Sequence, residues 1–478
     1  VSEREANLEK GAEVTVEVVS LAFGGKGVAR IDGLVVFVDG GLPGQLARVR
    51  IARRKRTYAE AQILEVMRES PLATAPRCPH FPDCGGCQLQ HLRYEAQLEV
   101  KRQHVVDCLQ RLGGLASPPV TPAIASPQEF FYRNKMEFAF SDRRWLPAAL
   151  LDTGSMERSG LFLGLHPRGR FDAVVDVTHC QLLSPLSNEI LEHIREFARR
   201  TTLPAFSTAT RQGFWRHAVI REGKQTGQVM VNVVTSAYEE ARLRALASGL
   251  VARFPAIASV VATVSTSPAN VAYGEEQRVL AGQPCIEERI GPYVYEISAN
   301  SFFQSNSLQA LRLYEMVREY AALRGGEVVF DLYCGTGTIS IFLADKARAV
   351  WGFELIEEAL ADARRNCRRN GVNNCHFVAG DVRTSLEASL QEGEVPRPHV
   401  VVTDPPRAGV HPRVLEVLGE VGPKRIVYVS CNPAALARDV GTLCAQGYRL
   451  REVTPVDMFP QTWHIESVAL LEKDVVAP

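Results

Sequence analysis

From about residue 308 onward the chain repeats one device, and that device leaves few folds open. A helical stretch, LQALRLYEMVREYAAL, is followed by EVVFDLYCGTG, ARAVWGFEL, CHFVAGDV, HVVVTDPP and RIVYVSCNP. Each of these runs is short and apolar, ends in polar or glycine residues, and is mostly separated from the next by a helical stretch. Apolar strands alternating with helices predict a doubly wound, mostly parallel sheet, a Rossmann-like α/β domain over residues 301–478.

Such sheets bind ligands outside the carboxyl ends of their strands, so the residues at those ends are the candidate site. The first strand ends in Asp331-Leu-Tyr-Cys-Gly-Thr-Gly337, where Gly335 and Gly337 let backbone approach a ligand closely. Ser340 stands where a dinucleotide fingerprint needs its third glycine, which argues against a nicotinamide cofactor. Glu354 ends the second strand, where a carboxylate can accept from both ribose hydroxyls, and Asp381 ends the third, placed for an adenine edge. A glycine loop, a ribose acid and an adenine contact without a pyrophosphate cradle fit S-adenosylmethionine.

The fourth strand ends in Asp404-Pro405-Pro406-Arg407. Proline fixes its own backbone and holds the preceding residue extended, so Asp404 is a rigid carboxylate able to orient a planar base. The fifth ends in Ser430-Cys431-Asn432-Pro433, which places a thiol on the same rim. A thiol there suits uracil chemistry. Carbon 5 of uracil is a poor nucleophile until a thiolate adds to carbon 6, and a base must later remove the carbon 5 proton. WHIES (463–467) reads as a late strand with His464 and Glu466 on one face; Glu466 is the expected base and His464 the alternative.

Upstream, residues 11–68 alternate as short strands around glycine turns, which predicts a five-stranded barrel of OB type behind a loose tail at 1–10. FGGKGVAR (23–30) and the basic run RVRIARRKR (48–56), six cations without an acid, resemble the TRAM domain, an RNA-binding barrel. Residues 72–300 predict an α+β central domain carrying a metal cluster. Its helical spacing at 89–112 ends at Gly113-Gly114 and can pack on the catalytic domain; further helical patterns fall near 185–200 and 237–253.

Eleven cysteines without a secretory signal predict a reducing, cytoplasmic compartment. Cys78, Cys84 and Cys87 form C-x5-C-x2-C around Gly85-Gly86, a metal-ligand spacing. Zinc would take a fourth ligand from His80, His91 or Cys108, whereas an iron–sulfur cluster can draw its fourth thiolate from a distance. Cys334 reads as structural, and Cys108, Cys285, Cys367, Cys375 and Cys444 as small apolar residues. The apolar content of 46% and the lack of any run of about 18 apolar residues predict a soluble chain without a membrane span. A monomer is the default expectation.

DLYCGTGTIS, DPPRAG, SCNP and HIES, in this order, resemble the family of RNA uracil-5-methyltransferases, and SANSFFQSN (298–306) and YRNKMEF (132–138) belong to the same pattern. The resemblance implies a class I methyltransferase domain with Cys431 as nucleophile and Glu466 as base. It implies Gln304, Tyr333, Glu354, Asp381 and Asp404 around cofactor and target base. Thr338 stands where the family commonly has asparagine, and Asp381 where asparagine also occurs; both can still bond the cofactor. The resemblance further implies a [4Fe–4S] cluster on Cys78, Cys84, Cys87 and Cys180 in preference to zinc. Methyl transfer moves no electrons, so that cluster is expected to support structure and contact RNA. A TRAM-like barrel with a cluster resembles the ribosomal branch, acting on 23S rRNA; enzymes of the tRNA T-loop share the architecture. Three other readings compete: methylation of an amino group, which needs no cysteine; a radical enzyme; and a non-catalytic RNA-binding protein.

Overall fold

The computed structural model describes residues 8–147 and 157–474. The barrel comprises β1 (Glu13–Glu17), β2 (Ser20–Leu21), β3 (Gly27–Ile31), β4 (Leu34–Asp39), β5 (Leu46–Arg54) and β6 (Tyr58–Arg68), in the order β1-β5-β6-β4-β3-β2. That is six strands where five were expected, because the turn before FGGKG pairs briefly as β2. Alternation puts Val16, Val36, Val38, Val49 and Ile51 inside. The tail is shorter than expected. Residues 1–7 lie outside the described residues, but Leu8 packs into the barrel core, and the Gly11 amide donates to the Ile51 carbonyl at 2.8 Å.

Helix α1 (Tyr94–Arg111) follows, starting later than the helical spacing suggested because 89–93 turn back on the barrel. The central sheet then forms from β7 (Lys135–Arg143), β8 (Ser159–Leu165), β9 (Val175–Asp176), β10 (Trp215–Glu222), β11 (Val229–Thr235), β12 (Ile257–Val264) and β13 (Glu276–Gly282). Its order is β13-β12-β11-β10-β7-β8-β9, with only β11 and β12 parallel. Helices α2 (Pro185–Arg200) and α3 (Glu240–Arg253) bury apolar stripes in its core.

A hairpin, β14 (Cys285–Ile290) and β15 (Tyr293–Ser298), leads to α4 (Ser307–Ala321) and the catalytic sheet. That sheet runs β16 (Val328–Leu332), α5 (Thr338–Ala344), β17 (Ala349–Glu354), α6 (Glu357–Arg369), β18 (Cys375–Ala379), α7 (Val382–Gln391) and β19 (Val400–Thr403). It continues with α8 (Pro412–Val421), β20 (Arg425–Ser430), α9 (Pro433–Ala445), β21 (Tyr448–Val456) and β22 (Glu466–Lys473). The strand order is β18-β17-β16-β19-β20-β22-β21, parallel except for β22, which returns antiparallel between β20 and β21. Because β22 runs backwards, its first residue, Glu466, lies at the same rim as the carboxyl ends of the parallel strands.

The expected boundary at residue 300 cuts through packed structure. Ile286, Ile290, Tyr295 and Ile297 of the hairpin share a core with α4 and the catalytic sheet. Val105 and Leu109 of α1 sit in the core on the other face, and Val120 and Ile124 pair with Val453 and Val456 at the edge of β21. Gly113 ends α1 against α9, where a β-carbon would come within 3.1 Å of the Ala437 carbonyl. The segments 94–126 and 285–298 are therefore built into the catalytic unit. Among the described residues, no helix is long and apolar enough to cross a membrane.

Candidate active site

The loop after β16 is shaped by backbone that ordinary residues avoid. Tyr333, Gly335 and Gly337 have φ of 64°, 53° and 73°. At Gly337 a β-carbon would come within 2.9 Å of the Ala363 side chain. Glu354 anchors this loop, one carboxylate oxygen accepting from the Gly335 amide at 3.1 Å and the other from the Ile356 amide at 2.9 Å. Glu354 thus holds the glycine loop, with lone pairs left for a ribose. Asp331 is fully buried beneath it and accepts from Ser340 Oγ at 2.6 Å, while its second oxygen has no partner. Burial raises its carboxyl to about 7. Cys334 is buried too, its Sγ packed against Gly352.

Other expected cofactor residues divide. The Thr338 hydroxyl accepts from Tyr314 at 3.0 Å. Tyr333 is half-buried, with its hydroxyl on the backbone of His411. Gln304 is buried, and its carbonyl accepts from Asn134 at 2.8 Å, which ties SANSFFQSN to YRNKMEF. Asp381 caps α7 by accepting from the Arg383 amide at 3.0 Å and is paired with the Arg383 guanidinium. That pairing holds its carboxyl down at about 2. An adenine edge would find a carboxylate already engaged by its own helix.

At the rim, Cys431, Glu466, Asp404 and Arg407 form one electrostatic cluster. Burial, then Glu466 and Asp404, push the Cys431 thiol up to about 11, and Arg407 opposes them. Burial and Asp404 raise the Glu466 carboxyl well above the usual range. Asp404 rises to about 7, from burial and the nearby Asp331. Glu466 and Asp404 thus oppose ionisation of Cys431, and Asp404 that of Glu466, at a rim where Glu466 is buried, Cys431 and Asp404 are half-buried and Arg407 is exposed.

Local sequence explains the shape. Asn432 Oδ1 caps α9 by accepting from the Ala434 amide at 3.1 Å, and Pro433 occupies the first helical position. Asn432 Nδ2 donates to the Arg407 carbonyl at 2.8 Å, so SCNP pins DPPR. Buried Asp439 accepts from the Val410 amide at 2.8 Å and the Tyr428 hydroxyl at 2.7 Å, holding the other end of DPPRAG. Gly409 (φ 85°) passes so close that a β-carbon would meet the Asp439 carboxylate at 2.6 Å.

Sequence reasoning overlooked Arg407, Asn432, Tyr314 and Asp439. For Arg407 and Asn432 the signal was present, since both lie inside the quoted motifs; Asp439 stands alone mid-helix and gave none. The strand reading of WHIES is corrected, because β22 begins at Glu466 and His464 lies in the preceding loop. The His464 ring centroid is 3.9 Å from that of Trp463, and burial depresses its imidazole to about 4, so it is neutral.

Cys78, Cys84, Cys87 and Cys180 line one small cavity. Burial and the neighbouring thiols push Cys84 up to about 12. Amides are aimed at the sulfurs: Gly86 at Cys84 (3.4 Å), Leu182 and Leu183 at Cys180, and Phe81 at Cys78. Ordinary apolar packing needs no such donors; anionic, metal-bound sulfur does. Among the described residues no group of three or more His, Cys, Asp and Glu stands close enough to hold one metal ion. The expected metal cluster in the central domain is therefore not shown by the geometry of these side chains.

Residues 271–474 match the tRNA (uracil-5-)-methyltransferase family, and residues 7–64 match the TRAM domain. An uncharacterized RNA methyltransferase of Chlorobaculum tepidum is 40% identical over 92% of both chains. One from Nitratidesulfovibrio vulgaris is 41% identical, covering 98% of this chain and 97% of its own. The chain belongs to the RNA (uracil-5-)-methyltransferase family. It is an S-adenosylmethionine-dependent enzyme acting on RNA. The tRNA (uracil-54, C5)-methyltransferase of Pyrococcus abyssi, solved with S-adenosyl-L-homocysteine, superposes with a TM-score of 0.73. It is 33% identical, covering 96% of this chain and 100% of its own.

Proposed function

We propose that the enzyme methylates carbon 5 of a specific uridine through a covalent adduct between Cys431 and carbon 6. The observation that carries this is the cluster of Cys431, buried Glu466, Asp404 and Arg407 at the carboxyl rim of the catalytic sheet. Bound S-adenosylmethionine supplies an electrophilic methyl group and leaves as S-adenosylhomocysteine. Cys431 gives its proton to solvent water and its sulfur bonds to carbon 6, moving the C5=C6 electron pair toward O4. Carbon 5 then takes the methyl group with that pair. Glu466 removes the carbon 5 proton, the C5=C6 bond re-forms, and the carbon–sulfur bond breaks to release Cys431. A carboxylate of raised pKa is a stronger base than an exposed one, which suits this last step. Asp404, held by Pro405 and Pro406, orients the uracil, and Arg407 offsets developing negative charge.

RNA carrying 5-fluorouridine at the target has no proton for Glu466 to remove, so it should remain bonded to the enzyme. Trapping that persists in Cys431→Ala overturns the nucleophile. Glu466→Gln should accumulate adduct on ordinary RNA.

For the target we favour 23S rRNA, from the barrel joined to a four-cysteine centre. The full-length likeness to the Pyrococcus abyssi tRNA enzyme supports a tRNA uridine as the second reading. Unmodified transcripts of both, incubated with S-adenosylmethionine and mapped by mass, decide between them. The cavity of Cys78, Cys84, Cys87 and Cys180 would hold a [4Fe–4S] cluster, which would brace the central domain beside the RNA path.

A further inference from the structure

An open cavity of about 670 Å3, within the range of small-ligand sites, lies beside the loop that leads to Glu466. Its walls come from four stretches distant in sequence: the segment before Cys78, the start of α1, residues 126–131, and Gln461. Arg77 lies 4.5 Å from the Phe130 ring centroid, and Phe131 is held beside it at φ 56°, a conformation bulky residues rarely adopt. Gln461, also left-handed at φ 68°, is clamped through its side chain by Gln97 at 3.0 Å and Glu129 at 3.4 Å. Tyr94 is fixed by the Ser126 amide at 2.8 Å. A flat cation on an aromatic ring, within rigid polar walls, is what stacks an unpaired base.

The charges narrow the occupant. A phosphate cradle would exclude acids, yet Glu129 and Glu95 both face this cavity. Burial and repulsion from Glu95 raise the Glu129 carboxyl, with Arg77 opposing them only in part. A carboxylate of this kind suits the edge of a base that offers N–H donors. Guanine offers two side by side; uracil offers no amino group.

We propose that this cavity is a second base-binding site, taking an unpaired guanine that flanks the target uridine in the same RNA. Arg77 and Phe130 stack the base, and Glu129 accepts from its Watson–Crick edge. The loop 457–465 lines this cavity through Gln461 and leads directly into Glu466, so occupancy here sets the register of the strand entering the Cys431 pocket. The proposal deepens the reading of the enzyme as a uridine methyltransferase and relies on it for the role, though not for the binding.

The probe is a fluorescein-labelled oligomer of twelve uridines, compared with the same oligomer carrying one central guanosine, by anisotropy on the full chain. The guanosine oligomer should bind about tenfold tighter, the scale of one stacked and edge-read base. Glu129→Gln and Arg77→Ala should each abolish that preference while leaving the all-uridine affinity within about twofold. Glu129→Gln is isosteric, so loss of fold would show instead as lost S-adenosylmethionine binding in calorimetry. Absence of a guanosine preference in the unaltered chain overturns the proposal, as does an equal loss for both oligomers in the variants. Failure of 5-fluorouridine trapping with the preference intact would count against the proposed chemistry and leave this site standing.

Discussion

Lys101→Met tests whether helix α1 is a working part of the catalytic unit. Lys101 Nζ donates to Asp457 Oδ1 at 2.6 Å and to the Phe459 carbonyl at 3.1 Å, and neither charged side chain exposes any surface. At that separation the attraction is about 6 kcal/mol for an effective dielectric of 20. Desolvation of two ions offsets most of it, so the intact pair contributes little net stability. Removing one partner is different, because the other charge stays buried and alone. Lys101→Met should therefore cost roughly 3–5 kcal/mol, a fall in unfolding midpoint on the order of 10 °C. Asp457→Asn should cost less, because burial already lowers the ammonium's pKa and Lys101 can shed its proton. The double variant leaves no stranded charge and should be more stable than the sum of the singles by about 2 kcal/mol. Urea and thermal unfolding followed by tryptophan fluorescence give all four corners of the cycle. A Lys101→Met midpoint within about 2 °C of the unaltered chain, or strict additivity, would refute the reasoning.

Alkylation of Cys431 by iodoacetamide, followed by peptide mass, should rise with pH to a midpoint near 11. Glu466→Gln removes a negative neighbour and should lower that midpoint; Arg407→Ala removes a positive one and should raise it. A midpoint near the ordinary thiol value of about 8.5 would contradict the coupling of Cys431 to Glu466 and Asp404. Gly337→Ala should weaken S-adenosylmethionine binding at least tenfold in calorimetry, since the left-handed backbone alone costs roughly 1–2 kcal/mol; an unchanged Kd would free the loop from its assigned role. Cys84→Ser should lower both iron and acid-labile sulfide per chain, whereas Cys431→Ala should leave them intact. Zinc without sulfide in the unaltered chain would replace the cubane reading.

The catalytic domain was legible because its signals are periodic and local. The strand ends carry the candidate site residues, and two helices start on Asn-Pro or His-Pro pairs that announce themselves. What could not be read is what long-range packing decides. Segment 94–126 lies far upstream, yet it adds Val120 and Ile124 to the edge of β21. The hairpin at 285–298 looks like a continuation of the preceding strands, and only its shared core with α4 assigns it to the catalytic unit. At the site, the types of residue were readable and their partners were not. Asp381 and Glu354 both read as ligand acids, but one carboxylate is taken up by its own helix and a neighbouring arginine, the other by the glycine loop. His464 escaped the strand because β22 starts two residues later, a boundary that alternation over so short a run does not resolve.

The loop 457–465 draws these observations together, because each part of the chain holds it at a different point. The barrel reaches it through Phe23, whose ring centroid is 4.4 Å from that of Trp463. Helix α1 holds it through Lys101 on Asp457 and Gln97 on Gln461. The cysteine segment holds it through the Gln88 and Leu89 amides, both donating to the Gln461 carbonyl at 2.9 Å. The central domain holds it through the Tyr132 hydroxyl on the Pro460 carbonyl at 3.1 Å. A nine-residue loop crossed by four separate elements is costly to order, and a plain connection between two antiparallel strands would not need it. The need arises from Glu466. A carboxyl kept dry beside Asp404 and Cys431 would turn toward water if its backbone could shift, and its raised pKa would relax with it. Anchoring the loop from the RNA-binding barrel, the cysteine centre and the central domain keeps that carboxyl in place. It also means that RNA seated on any of those surfaces bears on the residue proposed to complete the reaction.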